Sequence, residues 1–124
     1  MQETLEALEL QRIKLHQQLK AVGDFRPGTI SVNFRKCGKK NCCCARRDHA
    51  GHGPQYLWNT TRRGQSRAQN LRMGAELEKV RKELENHTIF LRLCQELVEV
   101  NEKICHLRPV QEVKDEKELE ALKR

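Results

Sequence analysis

A chain of 124 residues, 37% hydrophobic and 33% charged with a mean hydropathy of −0.81, has the size of one small domain with helical extensions and buries well under three quarters of its unfolded surface. No apolar run approaches the roughly 20 residues of a membrane-spanning helix, and the opening Met1-Gln2-Glu3-Thr4-Leu5-Glu6 is not a basic start followed by an apolar stretch, so neither a membrane partner nor a secretory leader is expected. A cytoplasmic location is the expectation, and in that reducing compartment clustered cysteines bind metal more often than they pair as disulfides.

The formal charge of +7 is unevenly placed. Between Arg26 and Arg72 eleven Lys and Arg face a single acid, Asp48, a local +10, whereas the two flanks together are −3. Such a field favours an anionic partner. Four of the five aromatic residues, Phe25, Phe34, Tyr56 and Trp58, fall in or beside the same stretch, available to a small β core or to base stacking.

In chain order, Leu5, Leu8, Leu15, Leu19 and Val22 recur at helical spacing, widened by Leu10 and Ile13, which predicts an N-terminal helix within 1–23 closed by Gly23 as a left-handed cap. Arg26-Pro27-Gly28 turns the chain into a basic β and metal-loop module over 24–74. Thr29 to Arg35 alternates, with Ile30, Val32 and Phe34 on one face, the period of a half-buried strand. Ala50 to Pro54 reads as a turn cluster, Gln55 to Arg62 as a second strand, Arg63-Gly64 as a hairpin tip and Gln65 to Leu71 as the returning strand. Two assignments of the hairpin faces are open. Either Trp58, Arg62, Arg67 and Gln69 are free to read bases while Leu57 and Ala68 pack inward, or Tyr56, Trp58 and Leu71 form the core.

A long helix follows within 75–108. It carries one seam of Leu77, Val80, Leu84, Leu91, Cys94 and Val98 and a second of Phe90, Leu93, Leu97, Val100, Ile104 and Leu107, and at 1.5 Å per residue it extends roughly 50 Å. One seam suits the N-terminal helix and the other a partner chain, most simply in a dimer. After Pro109 the tail over 109–124 is charged, with only Val110, Val113, Leu119 and Leu122 at helical intervals. The expected fold is α+β: two long helices forming an antiparallel hairpin or coiled coil, with a small three-stranded antiparallel sheet and a Cys/His metal loop inserted between them.

Four of the six cysteines fall inside Cys37-Gly38-Lys39-Lys40-Asn41-Cys42-Cys43-Cys44, and His49 and His52 follow closely. Thiolate and imidazole together are the donor set of tetrahedral zinc. Cys37, Cys42, Cys44 and one histidine, His52 ahead of His49, supply four ligands from two adjacent loops, and Gly38 lets the backbone fold back so that amide N–H groups support the thiolate. Cys43 is a surplus thiol that stands by as a substitute. The competing reading is a set of reduced, redox-active thiols whose pKa the neighbouring cations lower. Cys94 and Cys105 sit in apolar register and read as core, while His16, His87 and His106 are isolated. No Gly-rich phosphate loop or nucleophile elbow is present and the acids lie on charged helix faces, so an enzyme is not expected.

The run Arg26-Pro27-Gly28-Thr29, Cys37-Gly38-Lys39-Lys40-Asn41-Cys42-Cys43-Cys44 and Gly51-His52-Gly53-Pro54, followed by an aromatic strand, the Gly64 turn and a long helix, resembles a family of small, mostly bacterial proteins of unknown function whose products are found near transposase and recombinase genes. The resemblance covers about Gly23 to Leu107. It implies Cys37, Cys42, Cys44 and His52 as the recurring positions, and this chain departs from it at Cys43 and at Gln65, where a lysine is common. A looser similarity of layout is to the three-stranded sheet plus helix of arm-type DNA-binding domains in tyrosine recombinases.

Together these readings lead to an expected zinc-stabilised nucleic-acid-binding protein, an accessory factor of a mobile element. Arg35, Lys36, Lys39, Lys40, Arg46, Arg47, Arg62, Arg63 and Arg67 would meet phosphates, and the family context alone prefers DNA over RNA. The alternative is a protein-interaction subunit that binds its own copy or a transposase-like or recombinase-like protein through its helices, with the zinc loop purely structural.

Overall fold

The structure, a computed structural model, describes residues 3–111 and residue 122. Helix α1 spans Leu5–Ala21, strands β1, β2 and β3 span Thr29–Arg35, His52–Arg62 and Gln65–Leu71, and helix α2 spans Ala75–Leu107; a single 3₁₀ turn, Cys43–Ala45, interrupts the loop between β1 and β2. The expected charged tail, Leu122 apart, lies outside the described residues from position 112 onward.

Local chemistry explains the elements. Thr4 caps α1, its hydroxyl accepting from the Ala7 N–H at 3.1 Å, which satisfies one of the helix's free donors. Gly23 is not the left-handed cap predicted for it: the helix ends at Val22 with an extended ψ, and Gly23 instead passes close to the Asn86 side chain, whose Nδ2 donates to the Asp24 carbonyl at 2.9 Å. The two-residue turn at Arg63 and Gly64 has positive φ at both positions, 50° and 78°, the twist that joins adjacent antiparallel strands.

The sheet is antiparallel in the order β1-β2-β3. Ile30 pairs with Trp58 and Val32 with Tyr56, while Tyr56 pairs with Leu71 and Trp58 with Gln69, so these residues share one face. That face, through Ile30, Tyr56, Trp58 and Leu71, packs on Leu77, Val80 and Leu84 of α2. The second of the two open assignments therefore gives the core correctly, and Gln69 shares that face with it. Leu57 and Ala68, opposite Asn70 and Asn59, lie on the other face of the pleat.

The expected helical hairpin or coiled coil is corrected. The sheet separates α1 from α2 along the chain, and α2 divides its apolar surface between two cores. Its first half covers the sheet, and its second half, through Leu93, Val100 and Ile104, buries Leu8 and Leu15 of α1. The first predicted seam is thus broken after Leu84: Leu91 and Val98 are exposed, as are Leu10 and Ile13 of α1. Cys105 is exposed too and Cys94 half-buried, so Cys105 is not the core residue its register suggested.

Between the two cores stands Glu83, the one buried charged residue among those described. Its Oε2 accepts from Lys79 Nζ at 2.7 Å, and its Oε1 lies 2.8 Å from Arg26 Nη2. Oε1 has no aligned N–H donor, so charge rather than a well-directed hydrogen bond holds it to Arg26. The Arg26 N–H also donates to the Glu83 carbonyl at 3.3 Å. Phe25 stacks on Phe90 with ring centroids 4.6 Å apart, so the linker is fastened to the middle of α2 by charge and by an aromatic pair.

The Lys79 hydrogen bond, aided by the Arg26 charge and opposed by burial, holds the Glu83 carboxyl below its ordinary 4.5. Because the folded value lies below the unfolded one, this group stabilises the fold above that pH and the contribution is lost as pH falls through the folded value. Glu83→Gln is expected to cost on the order of 1 kcal/mol at neutral pH. It should also flatten the decline of melting temperature on acidification below about pH 4.5. Thermal melts followed by circular dichroism read both effects, and an unchanged acid decline would assign it to other carboxylates.

Candidate metal centre

The loop between β1 and β2 is folded on its own cysteines. Gly38 has φ +82°, a left-handed conformation that glycine adopts without steric penalty, and the bend brings the Lys39 N–H onto the Cys37 thiol. The 3₁₀ turn beginning at Cys43 brings the Cys44 N–H onto Cys42, and the Cys37 N–H donates to Cys44 Sγ at 3.4 Å. The Cys37 amide thus bonds a sulfur directly and the Lys39 and Cys44 amides lie close enough to Cys37 and Cys42 to lower them, the outer support that metal thiolates characteristically have.

His52 arrives from the opposite side. The predicted turn cluster at Ala50 to Pro54 is in part strand: β2 begins at His52, which pairs with Arg35 after the register shifts between Asn33 and Arg35. Gly51 makes this possible. A Cβ there would stand 2.8 Å from the Arg35 carbonyl carbon and 3.0 Å from its nitrogen, so only glycine lets the chain lie against the end of β1 and deliver His52.

The four ligand atoms of Cys37, Cys42, Cys44 and His52 all lie within 4.8 Å of one another, and these residues could hold a metal ion. Cys37 Sγ is 3.5 Å from Cys44 Sγ, and Cys42 Sγ is 3.1 Å from His52 Nε2. A tetrahedron of thiolates about 2.3 Å from a central ion has edges of about 3.8 Å, so the donor set fits in number, type and spacing. His49 is turned away: its Nδ1 accepts from the Gly51 N–H at 2.9 Å, and its Nε2 is 3.9 Å from Cys43 Sγ. The surplus thiol and the rejected histidine therefore face each other beside the cluster.

The electrostatics of the cluster without a cation are unbalanced. The Cys44 amide, then the Cys44 and Cys37 thiols, lower Cys42 to about 6. The Lys39 amide leads in lowering Cys37. For Cys44 the Cys37 amide pulls downward, but burial and the neighbouring Cys37 and Cys42 push the net value up. His52 is raised by Cys37 and Cys42. Negative sulfurs this close oppose one another's ionisation, and a divalent cation removes that opposition by binding all of them deprotonated.

The basic residues fall into two groups. Arg35, Lys36, Lys39, Lys40, Arg46 and Arg47 surround the metal loop, all exposed, with Lys36 Nζ donating to the Arg46 carbonyl at 3.0 Å. Arg62, Arg63 and Arg67 are exposed at the β2–β3 tip. No ion pair involves any of these nine among the described residues. The two groups lie at opposite ends of β2, whose 11 residues extend roughly 35 Å, so one basic run in the sequence becomes two separate patches. Sequence reasoning left Arg26 out of the site. Its guanidinium lies 4.6 Å from the centroid of the Trp58 ring, and the signal for it was its place before Pro27-Gly28.

One transition-metal ion per chain is expected by elemental analysis of protein purified without chelators. Cys37→Ser should abolish it, Cys43→Ser should leave it, and Gly51→Ala should weaken metal affinity by about 10- to 100-fold by displacing His52, the scale of a lost supporting contact. Metal-free protein, or stoichiometry that survives Cys37→Ser, would contradict the assignment.

Neither the curated proteins nor the solved structures yield a match to the chain. A family model described as a domain of unknown function (DUF6788) matches residues 5–87, a span that takes in α1, the whole sheet with its metal loop and the first part of α2. The chain belongs to this family.

Proposed function

We propose that a zinc ion occupies the Cys37, Cys42, Cys44 and His52 centre and that the protein is a zinc-stabilised nucleic-acid-binding module. Three thiolates and one imidazole favour zinc over hard cations, and four protein donors leave no open position for a substrate, so the role is structural rather than catalytic. The observation that carries the nucleic-acid reading is the pair of basic patches at the two ends of one sheet, without carboxylate partners among the described residues. A polyanion lying along β2 meets both, at a spacing of about ten phosphates of one strand at 3.4 Å each. The resemblance to proteins encoded near transposase and recombinase genes favours DNA over RNA and an accessory role in a mobile element.

A second reading is supported by the exposed apolar residues on the helices. Leu91 and Val98 are 53% and 51% exposed, and Leu10 and Ile13 are 63% and 53%, which suits a second copy or a transposase-like or recombinase-like protein docked on the helical half.

If four to six phosphates are contacted, log K for duplex DNA should fall with log salt at a slope of about −4 to −5. Arg62→Glu with Arg67→Glu should abolish binding if the hairpin tip enters a groove, while Lys39→Glu with Lys40→Glu should weaken it through lost phosphate contacts. Anisotropy titrations at several salt concentrations measure both. Affinity for DNA and RNA that neither pair alters, with zinc content and circular dichroism intact, would transfer the positive patches to a protein partner, and light scattering would then be expected to show an oligomer or a complex.

A further inference from the structure

On the face of the sheet that α2 covers only in part, the linker and the hairpin enclose a cleft of about 470 Å³ lined by Arg26, Trp58, Thr60, Arg62, Arg67 and Gln69. The size is within the range of small-ligand sites, roughly 300–1,000 Å³. Its lining is graded. At the inner end are Trp58, half-buried against the α2 core, and the Arg26 guanidinium stacked on it. Beside Trp58 in register is Gln69, and two pairs further out on the same face, nearer the tip, Thr60 faces Arg67. Among the described residues no carboxylate lines the cleft.

The inner wall is rigid. Trp58 Nε1 donates to the Pro27 carbonyl at 2.8 Å, which fixes the indole, and Glu83 fixes Arg26 from behind at 2.8 Å. Because Trp58 has spent its only donor on the backbone, what it offers a ligand is the part of its ring that Arg26 and the core leave uncovered. Arg26, with its charge answered by Glu83, likewise offers a flat stacking plane. The free positive charge is that of Arg62 and Arg67, further out.

We propose that this cleft receives one nucleotide of a single-stranded nucleic acid, with its base against Trp58 and Arg26, its base edge at the Gln69 amide and its phosphate between Arg62 and Arg67. This deepens the nucleic-acid reading above and rests on it. A duplex keeps its bases stacked inside and presents phosphates, which would engage the outer arginines and leave the recessed ring plane and amide without a use. An unstacked base uses both, and aromatic or guanidinium stacking with an amide hydrogen bond to a base edge is how single strands are held.

Trp58 is the chain's single tryptophan, so its emission reports on the cleft directly. The zinc-loaded full chain is titrated with a fluorescein-labelled mixed-sequence single strand of about a dozen nucleotides, with the same sequence as a blunt duplex, and unlabelled for the emission measurement. Expected are quenching of Trp58 by the single strand, tighter binding of the single strand than of the duplex, and about a tenfold loss of single-strand affinity in Gln69→Ala with little change for duplex. Gln69 is exposed on β3, and circular dichroism with zinc content verifies that the variant is folded. Salt-dependent binding of either form without any change in Trp58 emission, and with Gln69→Ala neutral, would overturn the cleft while leaving nucleic-acid binding in place. Failure of both strands to bind would overturn the nucleic-acid reading itself, and the cleft with it.

Discussion

A carboxylate withdrawn from water is costly to keep ionised unless cations and donors surround it, and Glu83 is held between Lys79 and Arg26 at 2.7 and 2.8 Å. Much of the geometry depends on that arrangement. Arg26 belongs to the linker that leaves α1, and its backbone and side chain both return to Glu83, so the carboxylate sets where the chain enters the sheet. The same guanidinium lies on Trp58, which in turn donates to Pro27. A chain of contacts therefore runs from α2 through the linker to the central strand, and it links two apolar clusters that both draw on α2.

At the other end of β2 the constraint is different in kind. Few apolar side chains are available there: Val32 and Phe34 are half exposed, and Cys44 is the only fully buried side chain of the loop. The Cys37 amide bonds the Cys44 sulfur rather than a ladder partner, and the Lys39 and Cys44 amides lie near the Cys37 and Cys42 thiols. Beyond a few turn hydrogen bonds, such a loop is held by the chemistry of its thiols, which is the condition under which small domains depend on a bound ion.

The sequence and the structure agree where a residue's environment follows from its neighbours. Alternation defined β1, and the Arg63-Gly64 turn defined β3, with the bounds now seen; ligand chemistry singled out Cys37, Cys42, Cys44 and His52, now seen close together. Disagreement arises where the deciding contact is distant along the chain. His52, Gly53 and Pro54 carry turn residues yet form strand, because β1 lies alongside and Gly51 permits the approach. Leu91 and Val98 keep a helical apolar period yet are exposed, since α1 meets α2 on the neighbouring face. Glu83 is one acid among many on a charged helix, and nothing in its spacing marks it as the residue to which Arg26 is bound. Likewise, a local charge of +10 reads as one patch until the length of β2 divides it.

The order of elements along the chain has a consequence for synthesis. Arg12 bonds Asn101, and Lys103 bonds Glu3, across separations of 89 and 100 residues, contacts whose loop-closure entropy is high for an unorganised chain. All four candidate ligands precede α2. On a translating ribosome the loop can therefore close on an ion before the distal half of α2 has emerged, while Leu8 and Leu15 still lack the surface that buries them. Until Ile104 appears, α1 is an apolar stripe without its native cover, and the β lobe is the part of the molecule able to hold its shape.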